Sequence, residues 1–133
     1  MMKKLNLIFI ILASSILIVS CEKNDDLTDL SLLKNSWTAS YEENTTEGID
    51  IYRPSDYMNF PTSRFRQVFI FDKKNECDYL VLAENDAHFF AKGSWEYDSQ
   101  SNLMKIFDSN SIKIFEFEVL EIRDDLLKLK ATS

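Results

Sequence analysis

Few residues in this chain could do chemistry, and they are scattered. The single histidine, His88, follows Glu84 and Asp86 at alternate positions, so an extended segment would set three possible metal ligands on one face. Asn85 and Asp86 read instead as turn residues, and a catalytic zinc site wants two or three strong nitrogen or sulfur ligands. Cys77 could act as a nucleophile beside His88, yet it opens a run of apolar neighbours, where an unpaired cysteine behaves as a small buried hydrophobe. Glu116 and Glu118 would lie about 7 Å apart on one strand face. That spacing suits a glycosidase pair, but the surroundings that make one carboxyl an acid catalyst are absent from the sequence around them. The chain is therefore read as non-enzymatic, with no cofactor. The polar feature that stands out is Arg53, Arg64 and Arg66, three guanidinium groups bracketing an aromatic segment of an acidic protein. They could grip a carboxylate or sulfate on a ligand, or pair with Asp50, Asp56 or Asp72 and stitch that segment to the fold.

One further reactive position is Cys21. Met1 to Lys4 form a short basic end, Leu5 to Val19 are almost entirely apolar, and Ile18-Val19-Ser20-Cys21 closes the run. The run falls short of the ~20 residues that cross a bilayer comfortably. Small Ser20 before a cysteine fits peptidase cleavage, and the stretch resembles the lipobox of bacterial lipoproteins. That resemblance implies a signal peptide over 1–20, acyl chains including palmitate on Cys21, and attachment to the outer membrane, facing the periplasm or the cell surface. Residues 21–29 read as an acidic tether.

With residues 1–20 removed, 113 of the 133 residues remain, enough for one domain. Loss of Lys3 and Lys4 takes the 15 basic side chains to 13 against 22 acidic ones, a balance of −9. A chain so acidic has no basic stripe for nucleic acid and is repelled by anionic headgroups, so its membrane link would be the lipid. Acylation of Cys21 would leave Cys77 alone and preclude an internal disulfide. The core must then rest on burial, for which 10 Phe, 5 Tyr and 2 Trp are available.

From residue 30 onward the patterning predicts an all-β domain over 30–133. Leu27, Leu30 and Leu33 predict one or two helical turns ahead of it. Trp37, Ala39 and Tyr41 alternate against Thr38, Ser40 and Glu42, as in a half-buried strand. Further strands are predicted over 49–53, 65–71, 77–83, 89–97, 103–107, 112–122 and 127–131, separated by Asn-, Asp- and Gly-containing turns. On the longest, Phe115, Phe117 and Val119 face inward, while Gly93 in mid-strand marks a bulge or a close approach of another group. The segment 54–64, with both prolines and Tyr57, Met58 and Phe60, is predicted to cover an open end of the sheet as a lid or plug. Seven or eight strands joined by short turns predict an antiparallel up-and-down meander that closes into a barrel and so removes its edges.

A short helix, a tryptophan strand over Leu33 to Tyr41, the run Gly93-Ser94-Trp95-Glu96-Tyr97, and closing strands with Phe117, Leu120, Leu127 and Leu129 together resemble the small lipocalin-like lipoproteins of Bacteroidota. The likeness extends to Tyr52-Arg53-Pro54 and Pro61-Thr62-Ser63-Arg64-Phe65-Arg66. It implies a seven- or eight-stranded barrel or half-barrel with at most a ligand cavity, and no shared catalytic residues. Two functions fit. One is a structural or protein-interaction module of the cell envelope, its interior filled by its own rings. The other is a binder of a small apolar or amphipathic ligand held between Trp95, Phe115, Phe117 and the aromatic segment. An interior cavity of roughly 300 Å³ or more would favour the second.

Overall fold

The computed structural model describes residues 30–72 and 74–132. The expected signal peptide over 1–20, the expected lipidation site Cys21, the expected tether over 21–29 and Leu27 of the expected helix lie outside the described residues. The first element is a single helical turn, α1 (Leu30–Leu33). Its Leu33 is 1% exposed, and the Leu33 carbonyl accepts the Trp37 indole N–H at 3.0 Å, tying the turn to the strand that follows.

Eight strands come next: β1 (Ser36–Ala39), β2 (Ile49–Pro54), β3 (Val68–Phe71), β4 (Glu76–Leu82), β5 (His88–Asp98), β6 (Leu103–Asp108), β7 (Lys113–Arg123) and β8 (Leu126–Ala131). They close into a barrel in the order β1-β2-β8-β7-β6-β5-β4-β3, with every neighbouring pair antiparallel. The expected all-β, lipocalin-like closed barrel is thus present, with one departure from a strict meander. β1 sits between β2 and β3, so those two strands run parallel and need a crossover, the segment 55–67.

That crossover is not a plug. β2 ends beside Trp37 and β3 begins beside Thr38, so the segment must travel back along β1. It does so on the outer face. Trp37 and Ala39 point inward and are fully buried, while outward Thr38 is only 7% exposed because the crossover lies over it. The Ser55 hydroxyl is bonded to those of Ser36 and Thr38 at 2.6 and 2.8 Å. The expected aromatic cover therefore lies over the outside of β1 and leaves Tyr57 and Met58 exposed. Strand β1 is also shorter than its alternation suggests, because Tyr41–Glu43 form a 3₁₀ turn. The Ser40 N–H goes to the Ile51 carbonyl, and the Asn44 side chain accepts the Ile51 N–H and donates to Asp50. The chain reverses there, and Tyr41 ends outside.

The interior follows the alternation of the longer strands. Phe69 is its hub, with ring centroids of Tyr52, Phe71, Phe115 and Phe117 between 5.2 and 5.9 Å away. Met104, Ile106, Leu127 and Leu129 fill the remaining space. A bulge in β7 between Val119 and Glu121 lets Val119 and Ile122 both turn inward despite their odd separation. Gly93 marks a close approach: a Cβ built there would stand 2.1 Å from the Phe107 carbonyl oxygen. Three hairpins share one device. The carboxylates of Asp72, Asp98 and Asp108, each at a strand end, accept backbone N–H groups two residues further on, and left-handed Asn75, Asn102 and Ser111 complete the reversals.

Candidate functional site

The three inward rings expected to hold a ligand are parts of the core. Trp95 is 4% exposed and packs edge-on to Phe71, with centroids 5.5 Å apart. Phe115 stacks on Phe117 at 5.8 Å and meets Tyr79 edge-on at 6.1 Å across the barrel. These contacts fill the barrel from α1 up to Phe115. The Trp95 indole N–H finds no acceptor among the described residues.

The three arginines divide. Arg53 leaves the outer face of β2 and makes two bonds to Glu43, at 2.7 and 2.9 Å, and one to the Asp125 carbonyl at 2.9 Å. Its guanidinium also lies over the Tyr57 ring, 4.7 Å from the centroid. Arg66 makes the matching pair of bonds to Glu42 at 2.7 and 2.9 Å and reaches the carbonyls of Ala39 and Pro61. It lies between the rings of Tyr41 and Phe60. Adjacent glutamates of the 3₁₀ turn thus hold Arg53 on β2 and Arg66 in the crossover, and with the Arg53–Tyr57 contact they clamp the crossover to the turn. Three of the five N–H donors of Arg53 and four of those of Arg66 go to carboxylate and carbonyl oxygens, and with side chains only 14 and 10% exposed neither guanidinium presents an open face to an anion. The hydrogen bonds from Arg53 hold the Glu43 carboxyl down at about 2, and those from Arg66 lower Glu42 in the same direction. Arg64 lies apart, exposed, paired with Asp86. The acids that engage these three arginines are therefore Glu42, Glu43, Asp86 and, at 3.9 Å from Arg53, Asp125, and not Asp50, Asp56 or Asp72.

Other reactive groups are held apart. Cys77 is fully buried low in β4, where burial pushes its thiol up to about 12, while His88 is exposed at the far end of β5 against Phe65. Asp86 is engaged by Arg64, and Glu116 is bonded to Lys113 and Thr132 rather than to Glu118. Among the described residues no group of three or more histidine, cysteine, aspartate and glutamate side chains could hold a metal ion.

What remains is the end of the barrel opposite α1. Here the β4–β5 and β6–β7 hairpins project, and Phe89, Phe90, Ile112 and Ile114 are 50, 48, 59 and 37% exposed. Beside them an open apolar dish of about 380 Å³ is lined by Phe65, Gln67, Tyr79, Leu80, Val81, Leu82, Ile114 and Phe115. Its floor is Phe115 and Tyr79, the top of the filled interior. No family model, curated protein or solved structure matches the chain. The rim thus has to be read from its own chemistry, which is apolar surface with His88 exposed beside it against Phe65 and, among the described residues, no metal-binding cluster. Alternation did not single it out. One signal was available: Phe89-Phe90 places a large ring on each face at the start of a strand that otherwise alternates.

Proposed function

We propose that the chain is a lipid-anchored, non-enzymatic module of the cell envelope that works by protein contact at its open rim. The observation that carries this reading is the contrast between an interior occupied by Phe69, Trp95 and Phe117 and a rim that leaves Phe89, Phe90, Ile112 and Ile114 in water. Exposed apolar side chains gathered at one end of a small barrel mark a contact surface. The lipobox ending at Cys21 and the likeness to lipocalin-like lipoproteins of Bacteroidota support attachment to the outer membrane. The chain enters the barrel through α1, at the end away from the rim, so a lipid on Cys21 would leave the rim directed outward toward other proteins.

Two measurements test the proposal. Metabolic labelling with palmitate should mark the full chain and be lost in Cys21→Ala. A photo-crosslinking residue at Ile112 should capture a protein in the native envelope, whereas one at Lys34, by the closed end, should not. Equal capture from both positions would overturn the reading.

The dish beside Phe115 favours a second function, the holding of a small amphipathic molecule at the barrel mouth instead of deep in the interior, since about 380 Å³ is enough for one. Native mass spectrometry of the full chain in detergent decides between them. A retained small molecule released by Phe115→Ala would favour the second reading, and a bare protein mass the first.

A further inference from the structure

At the rim, β5 is a strand paired on one side only. It pairs with β4 from Leu82 opposite His88 to Glu76 opposite Ser94, but β6 joins its other side only from Asp108 opposite Gly93 onward. The Ala83 N–H bonds the Ala87 carbonyl and the Trp95 N–H bonds the Asn75 carbonyl. Odd-numbered residues here therefore direct their backbone groups toward β4, and alternation sends those of His88, Phe90 and Lys92 the other way. Among the described residues no strand meets them. Proteins usually guard such an edge with proline, a bulge or an inward charge. This one carries two exposed phenylalanines, and its one lysine, Lys92, is already bonded to both oxygens of Asp78.

We propose that this edge takes an extended peptide segment of a partner protein as an added strand, with a basic residue at each end of an apolar middle. The proposal rests on the reading of the rim as a protein-binding surface and specifies how the partner is held. Backbone pairing would satisfy His88, Phe90 and Lys92, while Phe89 and Phe90 would pack against side chains on the two faces of the added strand. The charge requirement comes from both ends of the edge. Where β6 leaves β5, a groove of about 370 Å³ is lined by Glu76, Asp78 and Asp108, with Lys92 its one cation. At the hairpin tip stand Glu84 and Asp86, the latter shared with Arg64. A second copy of the chain could align the same edge but would bring another net charge of −7 and the same acidic ends. A lipid surface has no row of backbone groups to offer.

The test uses the full chain in detergent micelles and three labelled peptides of alternating valine and threonine. One has lysine at both ends, one has glutamate there, and one has the lysine ends with alternate backbone amides methylated. The lysine-ended peptide should bind by fluorescence anisotropy and slow amide exchange at His88, Phe90 and Lys92. Reversal of its end charges should weaken binding about tenfold, and methylation of the facing amides should abolish it. Phe90→Pro, which removes a donor that β4 does not use, should abolish binding without lowering the unfolding temperature by more than a few degrees. Binding that survives amide methylation, protection elsewhere in the barrel, or no binding of the lysine-ended peptide would each overturn the proposal. So would a concentration-dependent dimer lost in Phe90→Pro, because a second copy would then occupy the edge. Should crosslinking at Ile112 persist while the peptides fail, the protein-contact reading survives and the added strand does not.

Discussion

The two ends of the barrel are made of similar residues and treat them in opposite ways. At the α1 end, Leu33 and Trp37 are 1 and 0% exposed and joined by a hydrogen bond; at the rim, Phe89 and Ile112 are at least half exposed. Residue type does not make the difference, since both ends are aromatic and aliphatic. Cover does. One helical turn is laid across the first opening, whereas the segment long enough to cover the second is spent crossing the outside of β1. An apolar side chain in such a barrel is buried only where the connectivity brings something over it, so the exposed rim follows from the exchange of β1 and β2 in the strand order.

The largest expected effect tests that difference directly. Trp37→Ala should cost about 3–5 kcal/mol in denaturant unfolding, because it removes a fully buried ring and one of the two hydrogen bonds to the Leu33 carbonyl, leaving that from the Asn35 N–H. Phe90→Ala should stay within about 0.5 kcal/mol of the parent chain. Similar losses from the two would show that the rim is structural and dissolve the distinction.

Next comes Gly93→Ala. The added methyl would meet the Phe107 carbonyl oxygen at 2.1 Å and Tyr79 at 3.1 Å. A backbone carbonyl held in a sheet yields less than the tip of a flexible side chain, so a loss of about 1–3 kcal/mol is expected. If circular dichroism melts show no loss, β6 can shift, and the depth of the groove beside Asp108 is not a fixed property of the barrel.

Much of this was legible beforehand, for a local reason. Alternation over two residues placed Trp95, Phe117 and Val119 inside, and strand-end aspartates with nearby asparagines placed the hairpins, because both signals are contained in a few consecutive residues. The partner of a strand is not local information. Residues 49–53 read correctly as a strand, which runs one residue further to Pro54, but nothing within them says that β8 lies on one side and β1 on the other. The arginine partners failed to show for the same reason: Asp50, Asp56 and Asp72 are near in sequence, while the folded-back 3₁₀ turn delivers Glu42 and Glu43. Cys21 lies outside the described residues, so the lipid anchor still stands on the sequence alone.

The clamp itself predicts a smaller effect with a definite sign. Glu43 has a folded-state pKa of about 2 against an ordinary 4.5, set first by its hydrogen bonds from Arg53. The folded form therefore binds fewer protons than the unfolded one at mildly acid pH. The stability this supplies is complete above about pH 4.5 and disappears as the pH falls toward 2. With the Glu43 side chain 35% exposed, solvent screening limits the contribution to no more than about 1 kcal/mol. Melts at pH 6 and pH 2.5 should show a slightly smaller acid-induced loss in Glu43→Gln than in the parent chain. An unchanged difference would mean that the crossover is held by the Ser55 hydroxyl bonds and ring contacts more than by charge.

The smallest effect on stability belongs to the rim. Serine in place of Phe89, Phe90 and Ile112 removes rings and methyl groups that already contact water over about half their surface, so little burial is lost. The price is a modest fall in strand preference at the end of one hairpin. The triple variant should unfold within about 1 kcal/mol of the parent, with the ring cluster around Phe69 undisturbed in near-ultraviolet dichroism. If contact at the rim is the function, this nearly silent change should eliminate the protein captured at a crosslinking position moved to Ile114. If capture persists, the apolar rim is incidental, and the acidic outer face of β4 and β5 becomes the better place to look.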